Sequence, residues 1–198
     1  MKKNTEVKEL IIDKTKELIR KNPNLTIKDI AEECYVNIAA VNYYFGSKDN
    51  LIAIAVKDII DELKERVCEI LKELDEDGIE DNLEKMINVL LRFTLENIGV
   101  VKHMFIHTDN LSNSSNLLLE AFFTENPFTK RIFEEIKKSS KSDDELIVKA
   151  RYMLLFSCFS IPLFLQVADI NDNSRFFSSF FDPEFFQKYI KELLRIIR

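Results

Sequence analysis

Residues that interrupt regular structure are scarce in this sequence, whose 198 residues include 3 glycines and 4 prolines. Between these breaks Leu, Ile, Lys and Glu recur at helical spacing, and no stretch alternates apolar and polar residues as a half-buried strand does. With 46% hydrophobic residues, the chain can bury a sizeable core. The pattern therefore predicts an all-α globular protein.

The cysteines, the N-terminus and the apolar stretches indicate where the protein works. Cys34, Cys68 and Cys158 lie far apart and form no CxxC pair, which argues against a disulfide framework and a zinc cluster. The first residues have no apolar signal-peptide core. The one candidate membrane span, residues 152–168, is shorter than the roughly 20 residues that a bilayer needs and contains Pro162. We expect a cytoplasmic protein without a membrane segment.

Three short helices are predicted at the N-terminus, the second and third joined by a tight turn. Thr26 and Asp29 have the spacing of a capping box at the start of the second helix, and Asn37 is positioned to cap the third. In a helix-turn-helix motif, the later of these two helices enters the DNA major groove. We therefore predict a DNA-binding domain over residues 1–48, followed by a larger helical body over residues 49–198.

The third helix, IAAVNYYF, carries more polar side chains than a buried helix needs. Val41 and Phe45 lie four residues apart and are predicted to face inward. On the other faces, hydroxyl and amino groups can reach phosphates, and an amide can bond a base edge. The predicted DNA-binding residues are Thr26, Asn37, Ile38, Ala39, Ala40, Asn42, Tyr43, Tyr44 and Lys48. The alternative is that the tyrosines only cover the core and that Lys48 is an ordinary solvated charge.

The formal net charge of -6 is unevenly distributed along the chain. Residues 1–57 hold ten Lys and Arg against eight Asp and Glu, whereas residues 58–198 hold eighteen against twenty-six. A mildly basic N-terminal segment permits DNA binding without demonstrating it.

The N-terminal motif resembles that of the TetR family of bacterial transcriptional regulators. The residues that carry the resemblance are Leu25, Thr26, Ile30, Ala31, Tyr43, Phe45, Lys48 and Leu51. The resemblance is specific over roughly the first fifty residues, and the chain length and the helical body are also compatible with it. It implies a homodimeric repressor that binds a palindromic double-stranded DNA operator and is released from it by a small effector.

Several residues depart from the family's common pattern. Tyr35 stands where the family usually has a turn glycine, and left-handed backbone there would cost a non-glycine residue on the order of 1 kcal/mol. Ala39 and Ala40 replace the usual Gly-Thr pair, Ile38 stands where a polar residue is frequent, and Asn42 occupies a position often held by tyrosine. Base recognition is therefore expected to depend on methyl contacts.

The body is rich in phenylalanine, with thirteen of the 16 Phe after residue 120. The resemblance implies that residues 49–198 form a helical ligand-binding and dimerisation domain. In it, helices five to seven surround a small, largely apolar effector and the last two helices pair with a second subunit. The alternative, which we favour for most of these Phe, is that their side chains only fill the core and the dimer interface. The candidate ligand-binding residues are Arg92, His103, His107, Phe122, Phe123, Phe156 and Phe159.

Metal, cofactor and catalytic sites are not expected. His103 and His107 lie four apart with Asp109 close behind, but two histidines without a nearby cysteine are more often pocket or surface groups than metal ligands. No GxSxG, P-loop or HExxH motif occurs, so an enzyme is not expected. The alternatives are an all-α small-molecule binding protein without specific DNA recognition and a catalytic bundle with a bound cofactor. Sequence-specific DNA binding distinguishes the first of these from a regulator.

Overall fold

The computed structural model describes residues 2–73, 82–106, 113–167 and 182–197, and in these parts every regular element is a helix. The bounds are α1 Lys2–Lys21, α2 Ile27–Glu33, α3 Ile38–Phe45, α4 Lys48–Glu73, α5 Asn82–Glu96, α6 Ile98–Ile106, α7 Asn113–Phe123, α8 Pro127–Ser140, α9 Glu145–Val167 and α10 Pro183–Ile197. The predicted all-α class is confirmed.

The chain packs as two compact units. One comprises Met1–Leu63 with Glu96–Phe123, and the other comprises Lys64–Leu95 with Thr124–Arg198. The first unit therefore contains the three N-terminal helices together with α6 and α7. The functional division into residues 1–48 and 49–198 stays a prediction.

The core of the first unit contains one side of each N-terminal helix. In α1 the buried positions Ile11, Thr15 and Ile19 recur every four residues, and the Thr15 hydroxyl donates to the Ile11 carbonyl at 2.7 Å. That bond satisfies the polar group in an apolar setting, where an unpaired hydroxyl would be costly. Val41 and Phe45 of α3 are buried as predicted.

Gly99 does not separate two helices, as the sequence pattern indicated, but lies inside α6. The boundary between helices lies instead at Asn97, where α5 and α6 meet. A Cβ at Gly99 would lie 2.6 Å from the carbonyl carbon of Arg20 and closer still to the carbonyl oxygens of Ile19 and Arg20. The glycine is needed because the C-terminal end of α1 packs against this point of α6.

Polar contacts reinforce the same approach of α1 to α6. The Arg20 guanidinium donates to Asn97 Oδ1 at 2.7 Å and to Glu62 Oε2 at 2.8 Å, and Lys16 Nζ reaches Glu62 Oε1 at 3.2 Å. Asn97 is buried, so its bond to a cation offsets part of the cost of burying the amide. These contacts connect α1 with α4 and with the start of α6.

In the second unit, α9 packs against α8 and α10. The Tyr152 ring stacks on Phe133 with centroids 4.6 Å apart, and the Tyr189 hydroxyl donates to the Cys158 carbonyl. Helix α9 begins at Glu145, seven residues before the predicted apolar segment, because the Asp144 carboxylate accepts the Leu146 N–H at its start. Among the described residues, no helix is both long and apolar enough to cross a membrane.

We expect Gly99→Ala to destabilise the protein by about 1–3 kcal/mol or more, because its methyl group meets fixed backbone atoms of α1. Gly46→Ala is the matched control. At Gly46 the backbone has φ 75° and no atom lies within 4 Å of an added Cβ, so only backbone strain of about 1 kcal/mol applies. Urea unfolding midpoints measure both changes. A Gly99→Ala midpoint at or above that of Gly46→Ala would show that the helices do not approach this closely.

Candidate nucleic-acid interface

Helix α2 begins with the predicted capping box. The Thr26 hydroxyl oxygen accepts the Asp29 N–H at 3.2 Å, and the Asp29 carboxylate accepts the Thr26 N–H at 2.9 Å. The same carboxylate accepts the Thr26 hydroxyl proton at 2.7 Å. These two donors, the hydroxyl first and then the backbone N–H, lower the pKa of Asp29 below its ordinary 3.8.

The turn between α2 and α3 requires left-handed backbone at Tyr35. The Tyr35 N–H donates to the Glu32 carbonyl at 3.2 Å and the Val36 N–H donates to the Ala31 carbonyl at 3.0 Å, which is the pairing of a Schellman motif. Tyr35 occupies the position of that motif where glycine is preferred, and its φ is 55°. The backbone is therefore left-handed at the position where the family usually has glycine, and such a conformation costs a non-glycine residue on the order of 1 kcal/mol.

Helix α3 is positioned by its cap and by its buried face. The Asn37 side chain accepts the Ala40 N–H at 2.7 Å, so the predicted cap is confirmed. With Val41 and Phe45 buried, the residues that face solvent are Ile38, Ala39, Asn42 and Tyr43, while Ala40 is half-buried. Helix α3 therefore presents methyl groups, an amide and a phenol to solvent, while its opposite face is packed in the core.

The two tyrosines of α3 have different surroundings. Tyr43 is 80% exposed. Tyr44 is half-buried, and its hydroxyl donates to Asn4 Oδ1 on α1. The rings lie edge to face with centroids 5.3 Å apart, so Tyr44 also supports the orientation of Tyr43. The contact with Asn4 was not predicted, because nothing in the local sequence relates residues 40 positions apart.

The beginning of α4 completes the surface. Ser47 Oγ accepts the Asn50 N–H at 3.1 Å, as an N-cap side chain does, and the Asn50 amide donates to the Phe45 carbonyl at 2.8 Å. This second bond ties the end of α3 to the start of α4. The Lys48 ammonium lies 3.7 Å from Asp49, a surface pair of small energetic value that a phosphate could displace.

The predicted ligand residues of the first unit lie in its core or at its surface. His103 is buried, and its Nδ1–H donates to the Pro23 carbonyl at 2.7 Å, which fixes the turn after α1 against α6. On α7, Phe122 is buried and Phe123 is half exposed. His107 lies outside the described residues.

The predicted ligand residues of the second unit include one pocket residue. Arg92 borders an open pocket of about 270 Å³, whose other lining residues are Arg66, Glu69, Ile70, Val89 and Phe93. The Arg66 guanidinium lies 5.3 Å from the Phe93 ring centroid. Phe156 packs at an angle on Tyr152, with centroids 4.8 Å apart, and the side chain of Phe159 lies outside the described residues. Within the described part of the chain, no group of three or more His, Cys, Asp or Glu is placed to bind a metal.

Comparison with known proteins identifies the class of the N-terminal domain. Residues 11–54 match the family model described as bacterial regulatory proteins, tetR family. The chain therefore carries the N-terminal domain of the TetR family, as the resemblance predicted. No curated protein matches the chain.

Solved structures share the fold over nearly the whole chain. A TetR-family transcriptional regulator from Mesorhizobium loti has 12% identity and a TM-score of 0.74, over 98% of this chain and 96% of that one. One from Streptomyces coelicolor has 15% identity and a TM-score of 0.60, over 96% and 78%. A HlyIIR mutant protein with a segment substituted by a linker has 16% identity and a TM-score of 0.59, over 97% and 95%. The domain and the fold together support a DNA-binding transcriptional regulator.

The capping box predicts a specific acid dependence of stability. Because the pKa of Asp29 is lower in the folded state, its contribution is fully present above the ordinary value of 3.8 and is lost as the pH falls towards the folded-state pKa. Asp29→Asn should therefore lose less stability between neutral and acidic pH than the wild type, as measured by urea midpoints across that range. Thr26→Ala, expected to cost about 1 kcal/mol at neutral pH, should weaken the dependence in the same direction. An unchanged acid dependence in Asp29→Asn would contradict the assignment.

Proposed function

We propose that this protein is a homodimeric, effector-responsive transcriptional repressor that binds a palindromic DNA operator and works in the cytoplasm. The observation that carries the proposal is the exposed face of α3, fixed by the Asn37 cap and the buried Val41 and Phe45, within the segment that matches the TetR family. No catalytic role is part of the proposal.

The chemistry of α3 is suited to a major groove. Asn42 can present its amide to a base edge, and the methyl groups of Ile38, Ala39 and Ala40 can pack on thymine methyl groups. Tyr43 combines an accessible ring with a hydroxyl that can reach a phosphate.

Phosphate contacts are proposed for the residues that flank this face. Thr26 and Asn37 stand at helix N-termini, where backbone N–H groups attract anions, and Lys48 supplies a positive charge at the start of α4. Tyr44 contributes through its bond to Asn4, which holds α3 against α1.

The dimer is supported by apolar side chains that the second unit leaves exposed. On α9, Leu146 and Met153 lie seven residues apart on one face and are 76% and 57% exposed. On α10, Phe185 and Ile196 are three turns apart and also exposed, although the opposite side of that helix is buried. Two adjacent helices with such stripes can bury them against the same stripes of a second copy.

The effector is proposed to be small and largely apolar, with an acidic group. The pocket beside Arg92 offers Ile70, Val89 and Phe93 for apolar contact, and two guanidinium groups for a carboxylate. Such an effector causes the protein to release the operator only if it binds the DNA-incompetent conformation more tightly than the competent one. If apolar carboxylates lower the operator affinity of the wild type but not that of Arg92→Ala, the result would support an acidic effector in this pocket.

The DNA-binding proposal predicts selective, salt-dependent binding to a fragment from upstream of the protein's own gene. In fluorescence anisotropy, Tyr43→Ala should weaken operator binding about tenfold. Lys48→Ala should weaken binding to all sequences and reduce the slope of log K against log salt by about 1. Lys130→Ala is the charge-matched control, since Lys130 is an exposed lysine of α8 in the second unit. It should change neither the affinity nor the salt slope.

The contrary outcome is binding by the wild type with no preference for any genomic fragment over scrambled DNA. The leading function would then be an all-α small-molecule binding protein without specific DNA recognition.

The dimer proposal predicts that Met153→Lys gives a monomer in sedimentation velocity, because the substitution places a charge in an apolar interface. Leu10→Lys is the matched control, since Leu10 is a half-exposed apolar residue of α1 in the other unit, and it should remain dimeric. A Met153→Lys protein that sediments with the wild type would exclude this face as the interface.

A further inference from the structure

Tyr35 has an unfavourable backbone conformation without a compensating contact of its side chain. Its φ of 55° is left-handed, and its side chain is 97% exposed. Within the described residues, no hydrogen bond, ion pair or ring contact involves the phenol. Glycine would satisfy the same Schellman turn without strain, so the side chain lowers the stability of the folded chain. Backbone strain that the fold does not need is a reason to look for function.

Lys141 is a second non-glycine residue with left-handed backbone, and its side chain can stabilise the helix end where it lies. It has φ 50° at the end of α8, and there a positive charge interacts favourably with the helix C-terminus. A neutral phenol has no such interaction at the end of α2. Lys141 and Tyr35 thus share a left-handed conformation, but only the Lys141 side chain has a stabilising interaction with the end of its helix.

The position of Tyr35 indicates what its side chain meets. It lies two residues before Asn37, on the turn that leads into the first turn of α3, and the first residues of such a helix are the ones that approach DNA. In that first turn Ile38, Ala39 and Ala40 have no side-chain hydrogen-bonding group, and the Asn37 side-chain oxygen is used by the cap. The first turn of α3 therefore has no free side-chain hydrogen-bonding group of its own, whereas the Tyr35 phenol is exposed on the turn just before it.

We propose that Tyr35 is a positioning residue that contacts the DNA backbone, its hydroxyl donating a hydrogen bond to a phosphate oxygen while its ring packs on the adjoining sugar. The proposal rests on the proposed function, because it requires that α3 faces duplex DNA. Phosphate contacts fix the register of a protein on DNA without reading sequence. Tyr35 would thus lower the stability of the folded protein slightly and add a DNA contact beside α3.

The test compares Tyr35→Phe, Tyr35→Gly and the control Lys141→Gly in anisotropy titrations against the upstream fragment and scrambled DNA over a salt series. Both Tyr35 variants should bind each DNA about tenfold more weakly, because they lose a hydrogen bond to a charged group. The slope of log K against log salt should not change, since a neutral phenol displaces no counterion. Tyr35→Gly should melt at the same or a higher temperature than wild type, and Lys141→Gly should bind as wild type does.

Several results would overturn the proposal. Wild-type affinity in Tyr35→Phe would exclude the hydroxyl–phosphate bond, and a weaker binding limited to one sequence would indicate base recognition instead. A lower melting temperature of Tyr35→Gly would show that the phenol serves the fold. If the wild type binds no DNA, the proposed function itself fails, which is distinguishable from a wild type that binds and Tyr35 variants that bind equally well.

Discussion

The close approach of α1 to α6 at Gly99 is the contact on which the first unit depends. Only a residue without a Cβ lets the carbonyl groups of Ile19 and Arg20 come this near. Once the two helices touch there, Arg20 can reach both Asn97 and Glu62. Steric fit therefore comes first, and the polar contacts follow from it.

This contact also determines how the candidate DNA surface is held. The end of α1 is fixed by Gly99, and the turn that follows is fixed by the bond from His103 to the Pro23 carbonyl. At its other end, α1 holds α3 through Asn4 and Tyr44. Helix α1 therefore connects α6 with α3 within this unit.

The first unit combines rigid support with a surface that does little for its own stability. Val41 and Phe45 are buried and the helix ends are capped, so α3 has one defined orientation. By contrast, Tyr43 and Tyr35 expose large rings to solvent, and the latter does so at a backbone position that favours glycine. Such locally unfavourable choices are expected where a surface is selected for binding.

The sequence by itself determined the features that depend on residues a few positions apart. The capping box of Thr26, the cap at Asn37 and the buried pair of α3 all follow from local rules of hydrogen bonding and periodicity. Tertiary structure alone decided that Gly99 is a packing contact and that His103 bonds a carbonyl 80 residues away. The physical reason is that helical geometry relates a residue to its third and fourth neighbours, whereas contacts between helices depend on how whole surfaces pack.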